Sequence, residues 1–193
     1  MIRIGDINLP VKPLFLAPME DITDRSFRGL CKEQGVDVVF SEFISSEGLI
    51  RDCDKSRKKM EISDFERPFG VQLYGHRTEA MIEAAKMAEE TGPEFIDLNF
   101  GCPVKKVSAR GAGAGMLQNI PLMVEMTEAV VQATSLPVTV KTRLGWDNNS
   151  IRIVEIARKL QMAGIQALTI HGRTRAQMYR DEADWEAIAE VKH

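Results

Sequence analysis

The feature that most constrains this chain is an alternation of short apolar runs with amphipathic stretches, each apolar run closing on polar residues. Six runs have the length and composition of buried strands bounded by turn residues: 14–19, 36–44, Phe69–Tyr74, Phe95–Phe100, 138–144 and Ala167–His171. Between them, apolar residues at helical spacing predict helices over 79–90, 122–133 and 151–162. Thr78 is placed to cap the first of these and Gly92 to end it. Pro121 suits the first turn of the second, and Gly164 closes the third. A last segment, WEAIAEVKH (185–193), begins another helix. Strands separated by helices in this way pair in parallel through crossover connections.

Two architectures satisfy that pattern, an open doubly wound sheet and a closed barrel. A nucleotide-binding open sheet carries G-x-G-x-x-G directly after its first strand. Here the first strand runs into APMEDITD, without glycine, and the G-A-G-A-G of residues 111–115 follows the fourth strand with the wrong spacing. A barrel instead places polar residues at the C-terminal ends of many strands, where its active site lies. That arrangement is present: Met19-Glu20, Ser41-Glu42, Gln72, Asn99, Lys141-Thr142-Arg143 and His171-Gly172-Arg173. The expectation is therefore α/β, a (β/α)8 TIM barrel. Eight units take about 250 residues, whereas these 193 residues hold six strands. The chain thus reads as a barrel truncated after about six βα units, a single partial domain over 1–193 with no Pro/Gly/Ser linker. Such a truncation leaves the edges of its first and sixth strands exposed.

No apolar run reaches the length of a membrane span, and MIRIGDINLP lacks the apolar core of a signal peptide. Cys31, Cys53 and Cys102 are odd in number, far apart and in no C-x-x-C pair, so neither a disulfide framework nor a metal site is expected. A reducing cytoplasm is the matching compartment. The net charge of −3 gives no general signal for nucleic acid. Its distribution is uneven. Segments following the strands (20–25, 45–59, 75–78, 103–119, 143–149 and 172–184) carry 14 Lys/Arg against 10 Asp/Glu, leaving 11 against 18 elsewhere. A basic mouth on an acidic body suits a polyanionic substrate.

Within that mouth, LNFGCPVKKVSARGAGAGML (98–117) holds one cysteine on a turn between Gly101 and Pro103, with Lys105 and Lys106 downstream. Nearby cations lower a thiol's pKa, while a protonated thiol serves as an acid; the residues admit both. Glycines 111, 113 and 115 permit positive φ or close backbone approach. Lys141 lies in TVKTR, a strand otherwise apolar or β-branched. It either reaches water at the strand end or faces a group that becomes negative on reduction. His171, level with it, is a core histidine or a ligand contact. Gln72 in GVQLY is a buried amide needing partners, such as the edge of a flat ligand.

Four stretches taken together, APMEDITDRSFR (17–28), LNFGCPVKKV (98–107), VKTRLGW (140–146) and IHGRTRAQMY (170–179), resemble tRNA-dihydrouridine synthases, nearest to the bacterial B-type group. The similarity runs in order along nearly the whole chain. It implies an FMN-binding TIM barrel in which NADPH reduces the flavin, hydride passes to C6 of a uracil in tRNA, and a cysteine protonates C5. By that resemblance Cys102 is the proton donor. Pro18, Met19 and Glu20 lie along the flavin, Gln72 and Lys141 at its polar edge, and His171 close by. Asn99 orients the uracil, while Lys105, Arg143 and Arg173 approach the nucleotide or RNA phosphates. Glu20 and Asp21 stand where the family more often has small residues. The family's last two βα units, whose loops bind the flavin phosphate, and its C-terminal helical tRNA-binding domain are expected to lie outside this chain. The B-type likeness implies the D-loop as the modified region. Two other readings compete: an FMN-dependent barrel reductase of a free pyrimidine or enone, and a non-catalytic RNA-binding fragment.

Overall fold

The computed structural model describes residues 1–192; His193, the last residue of the expected C-terminal helix, lies outside the described residues. The chain opens with an antiparallel hairpin of β1 (Ile2–Ile4) and β2 (Ile7–Leu9), which the sequence pattern did not announce. The sheet that follows is parallel throughout, built from β3 (Val39–Phe40), β4 (Ile44–Ser45), β5 (Phe69–Tyr74), β6 (Phe95–Phe100), β7 (Val138–Arg143) and β8 (Ala167–His171). Its order is β3-β5-β6-β7-β8, with β4 also pairing β5. The crossovers carry α1 (Arg25–Glu33), α2 (Ser46–Leu49), α3 (Asp54–Lys58), α4 (Thr78–Glu89), α5 (Lys105–Ser108), α6 (Ile120–Ala133) and α7 (Ile153–Met162). After β8 comes α8 (Trp185–Lys192). The sheet curls into a half-barrel, the α/β architecture expected of part of a TIM barrel.

Alternation along the strands separates two faces. Val71, Leu73, Ile96, Leu98, Val138 and Val140 turn outward and meet apolar residues of α4, α6 and α7 in one continuous core. Fully burying a side chain of this size contributes about 1.5–3 kcal/mol, so this seam is the main stabilising element.

The inner face is layered. At the N-terminal end of the strands, Ile4, Leu9, Val38, Phe40 and Phe95 form a separate apolar cluster, so the hairpin plugs the barrel floor. Gly70 makes room there, since a Cβ on it would sit 2.2 Å from the Phe95 ring. One step higher, Gln72, Asp97 and Thr139 lie side by side in register across three strands. One step higher again come Asn99 and Lys141, with Arg143 and His171 paired above them.

Several elements differ from expectation: the second helix starts at Ile120 rather than 122, and β7 ends at Arg143 rather than 144. The strand over 14–19 is reduced to one bridge, Phe15 to Val38, because prolines at 13 and 18 remove donors on either side. The strand over 36–44 divides into β3 and β4. Between their pairings, residues 41–43 face only residues 71–72, a one-residue bulge in which the Ser41 hydroxyl accepts from the Gln72 N–H at 2.9 Å. Thr78 is the first residue of α4 rather than its cap; Arg77 stands before it without a side-chain capping bond. The third expected helix starts at Ile153 instead of 151. Pro121 does sit in the first turn of α6, which Asn119 caps through the Leu122 N–H, and Gly92 and Gly164 have the expected positive φ. Among the described residues β8 pairs only with β7, and its side chains are half-buried or exposed.

Candidate active site

A cavity of about 830 Å³ opens at the C-terminal ends of the strands, within the range of small-molecule pockets. Asn99, Cys102, Lys141, Arg143 and His171 line it from β6, β7, β8 and the turn after β6. Pro18, Met19 and Glu20 line it from the opposite loop.

The turn bearing Cys102 is held from three sides. Asn99 Oδ1 accepts from the Gly101 and Cys102 N–H groups at 3.1 and 2.9 Å. The Cys102 carbonyl accepts from the Ala114 N–H at 3.0 Å. Gly113, at φ +55°, packs where a Cβ would lie 3.0 Å from that carbonyl and 3.1 Å from Cys102 Cβ. The glycine loop is therefore a brace for the cysteine. Gly115 serves the same packing, since its Cβ would fall 2.4 Å from the Ser108 carbonyl. Burial pushes the Cys102 thiol up from its ordinary pKa, against the Val104 N–H and the Arg143 and Lys141 charges, which pull it down, while Glu20 pushes it up. At neutral pH this group is a protonated thiol, an acid in place.

Lys141 lines the cavity, and among the described residues its amine makes no hydrogen bond or ion pair. Burial lowers its pKa, and the nearby Asp97 charge opposes that shift. Sequence reasoning passed over Asp97, although a carboxylate in the middle of FIDLNF, two residues before Asn99, had to share its face. Asp97 is 1% exposed and accepts from Gln72 Nε2 and Thr139 Oγ1, both at 2.5 Å. Burial raises its pKa to about 6, opposed by those two hydrogen bonds and by Lys141.

Gln72, expected at a ligand edge, does not line the cavity. It is wholly buried below it, donating to Asp97 and accepting from Asn99 Nδ2 at 2.8 Å. Asn99 reaches the cavity, but its amide is occupied by Gln72 on one side and the cysteine turn on the other.

Arg143 is 2% exposed. Its Nε donates to Gly101 O at 2.9 Å and Nη1 to Thr174 O and Met178 O at 3.1 and 2.8 Å, so it ties β7 to the loops after β6 and β8. Its guanidinium lies 5.6 Å from the Tyr179 ring, an exposed aromatic on the rim. Burial lowers the His171 pKa to about 4, assisted by Arg143, Lys141 and Arg173. His171 is neutral at physiological pH. Arg173 Nη1 lies 3.1 Å from His171 Nε2, and because a guanidinium only donates, the imidazole proton resides on Nδ1. Arg173 does not itself line the cavity; its other nitrogens bind Arg180 O and Asp181 O.

Both Glu20 carboxylate oxygens meet Lys59 Nζ, at 2.6 and 2.7 Å, and Glu42 accepts from the Asp21 N–H. Glu20, Asp21 and Glu42 come close together, with the ammonium of Lys59 pairing Glu20 and Glu42. Buried Arg28 braces this loop, donating to Thr23 O and to Glu66, while the Thr23 hydroxyl accepts from the Met19 N–H. On the basic rim it is Lys106 and Arg110 that border the cavity. Lys105, one residue earlier on α5, is exposed outside it.

An unpaired amine, a fixed neutral imidazole and an apolar wall at Pro18 and Met19 suit a planar ligand with an electron-rich edge. The buried thiol beside them suits proton delivery. No helix of the described residues is long and apolar enough to cross a membrane.

The chain resembles known proteins in sequence and in fold. In sequence the chain is 42% identical over its whole length to tRNA-dihydrouridine synthase B of Pseudomonas aeruginosa, and it spans 58% of that protein. It is 43% identical over its whole length to a probable tRNA-dihydrouridine synthase of Rickettsia conorii, again spanning 58%. A Rhizobium leguminosarum probable tRNA-dihydrouridine synthase is 44% identical over 92% of the chain and 56% of its own length. The chain thus spans somewhat over half the length of these curated relatives. In structure, the carboxyl transferase domain of Rhizobium etli pyruvate carboxylase superposes with a TM-score of 0.56 at 16% identity over 86% of this chain and 31% of that one, a likeness of fold alone. The family model for dihydrouridine synthase (Dus) matches residues 15–193, and the chain belongs to that family.

Proposed function

We propose that the protein containing this chain reduces a uridine of tRNA, in the D-loop region, to 5,6-dihydrouridine, with FMN as cofactor and NADPH as reductant. The observation that carries the reading is a buried, protonated Cys102 thiol facing the same cavity as the unpaired Lys141 amine.

Bound FMN would supply hydride to C6 of the uracil. Lys141, with no protein partner, would hold the electron-rich edge of the flavin ring, Pro18 and Met19 would flank its plane, and His171 would offer Nδ1–H. Hydride arrival at C6 leaves negative charge on C5 and the adjoining carbonyl. Cys102 S–H then delivers its proton to C5, so the C5–C6 double bond becomes single, and the thiolate regains a proton from solvent. Burial keeps the thiol protonated until that moment. Lys106 and Arg110 on the rim would meet RNA phosphates. A base must leave its stack to reach the buried thiol in this cavity. A free thiol of this kind suits a reducing cytoplasm.

The test is Cys102→Ala, supplied with FMN, NADPH and unmodified tRNA, with nucleosides read by mass spectrometry. Dihydrouridine formation is lost while NADPH still bleaches the flavin. A variant as active as the parent protein would remove the thiol from the reaction.

A further inference from the structure

The polar residues within the half-barrel form a chain that runs in one direction. An ionised carboxylate only accepts hydrogen bonds. Asp97 therefore draws the Nε2 of Gln72 toward itself, at 2.5 Å, and leaves Gln72 Oε1 to accept from Asn99 Nδ2 at 2.8 Å. With its amide nitrogen so committed, Asn99 presents Oδ1 to the Gly101 and Cys102 N–H groups. Each amide takes its orientation from the one before it.

We infer that Asp97 is a positioning residue for Cys102: its acceptor-only carboxylate sets the amide orientations of Gln72 and Asn99 that hold the cysteine turn. Asp97 neither lines the cavity nor touches the thiol, so its hydrogen-bonded route to the turn runs through the two amides. A neutral amide at position 97 both donates and accepts. Gln72 and Asn99 then gain a flipped arrangement, in which Asn99 turns Nδ2 toward two backbone donors and holds neither. Thr139 provides the control, because it donates to Asp97 at 2.5 Å but lies off the route to the turn.

The role in uridine reduction rests on the function proposed above, whereas its test does not. With Cys31 and Cys53 replaced by serine, Cys102 is the one remaining thiol. Its alkylation by iodoacetamide at fixed, mildly alkaline pH needs neither flavin nor RNA. Failure here leaves the Cys102→Ala experiment standing, and the reverse also holds. Asp97→Asn and Gln72→Leu are expected to accelerate alkylation about fivefold, the factor by which losing one ordinary hydrogen bond shifts a conformational equilibrium. Thr139→Val keeps the parental rate. Parental rates in both Asp97→Asn and Gln72→Leu would overturn the inference. So would equal acceleration in Thr139→Val, which would mean that the core had merely loosened. Should Asp97→Asn fail to fold by circular dichroism, the rate in Gln72→Leu, which keeps the charge, decides between these outcomes alone.

Discussion

Asp97 also makes a prediction about stability that can be worked through from its surroundings. Its pKa stands at about 6, against 3.8 for an unperturbed aspartate, chiefly because burial disfavours the ionised form. Between those two values the folded protein holds a proton that the unfolded chain has released. For a raised acid, stability is fully present below the unfolded pKa and is lost as pH rises through the folded one. The interval from 3.8 to about 6 corresponds to about 3 kcal/mol of stability given up between acid and neutral pH. Asparagine at 97 has no proton to release and lacks that slope. Asp97→Asn is therefore expected to be less stable than the parent protein at low pH, by the value of its disrupted hydrogen bonds, and to close the gap as pH rises through 6. Urea unfolding of both proteins at a series of pH values, followed by far-UV circular dichroism, measures the difference directly. Titrating groups not coupled to Asp97, His171 among them, contribute equally to both proteins and cancel; Lys141, whose charge Asp97 favours, is the exception. Parallel curves across this interval would refute the reasoning, since they would mean that Asp97 titrates alike in folded and unfolded chains.

Other consequences concern the cysteine brace and the free amine. Gly113→Ala places a side chain at φ +55° and 3.0 Å from both Cys102 O and Val107 Cγ1. The left-handed backbone alone costs about 1–2 kcal/mol, a fall in Tm of about 2–8 °C for a domain of this size, and an unchanged melt would show that the loop yields freely. Lys141→Met removes a half-buried cation of the cavity wall that, among the described residues, has no side-chain partner. Loss of a hydrogen bond to a charged group weakens FMN binding roughly tenfold or more in a fluorescence titration, whereas parental affinity would take Lys141 off the flavin edge.

Much of this fold was legible because the strands of a parallel sheet read as apolar runs: β5 and β6, buried on both faces, and half-buried β8 have the bounds their composition announced. The N-terminal hairpin was not, since IRIGDINL spans only two three-residue strands, and its role lies in the Phe40 and Phe95 cluster it covers. The segment at 36–44 was read as one strand because a bulge leaves composition untouched; only the register against β5 reveals it. Among site residues, Cys102, Lys141, Arg143 and His171 were placed together by a simple rule, that strand ends face the cavity. Gln72, one layer lower, escapes that rule. Which of the two lysines borders the cavity was not legible, because α5 is barely one turn long and its phase cannot be read from periodicity.

The layering of the inner face explains why so few positions carry so much of the site. Moving two residues along β6 passes from Phe95, packed with the hairpin, to Asp97, and two more reach Asn99 under the cysteine turn. A buried carboxylate is costly in such an interior unless every acceptor site is used. Here Gln72 and Thr139 supply the donors and Lys141, beyond ion-pair distance, the compensating charge. That same carboxylate opposes the effect of burial on Lys141, favouring the charged amine. One buried acid thus supports both halves of the site, the cation through space and the thiol through two amides. An apolar residue in its place would relieve the burial cost of a charge and strip the cavity of both.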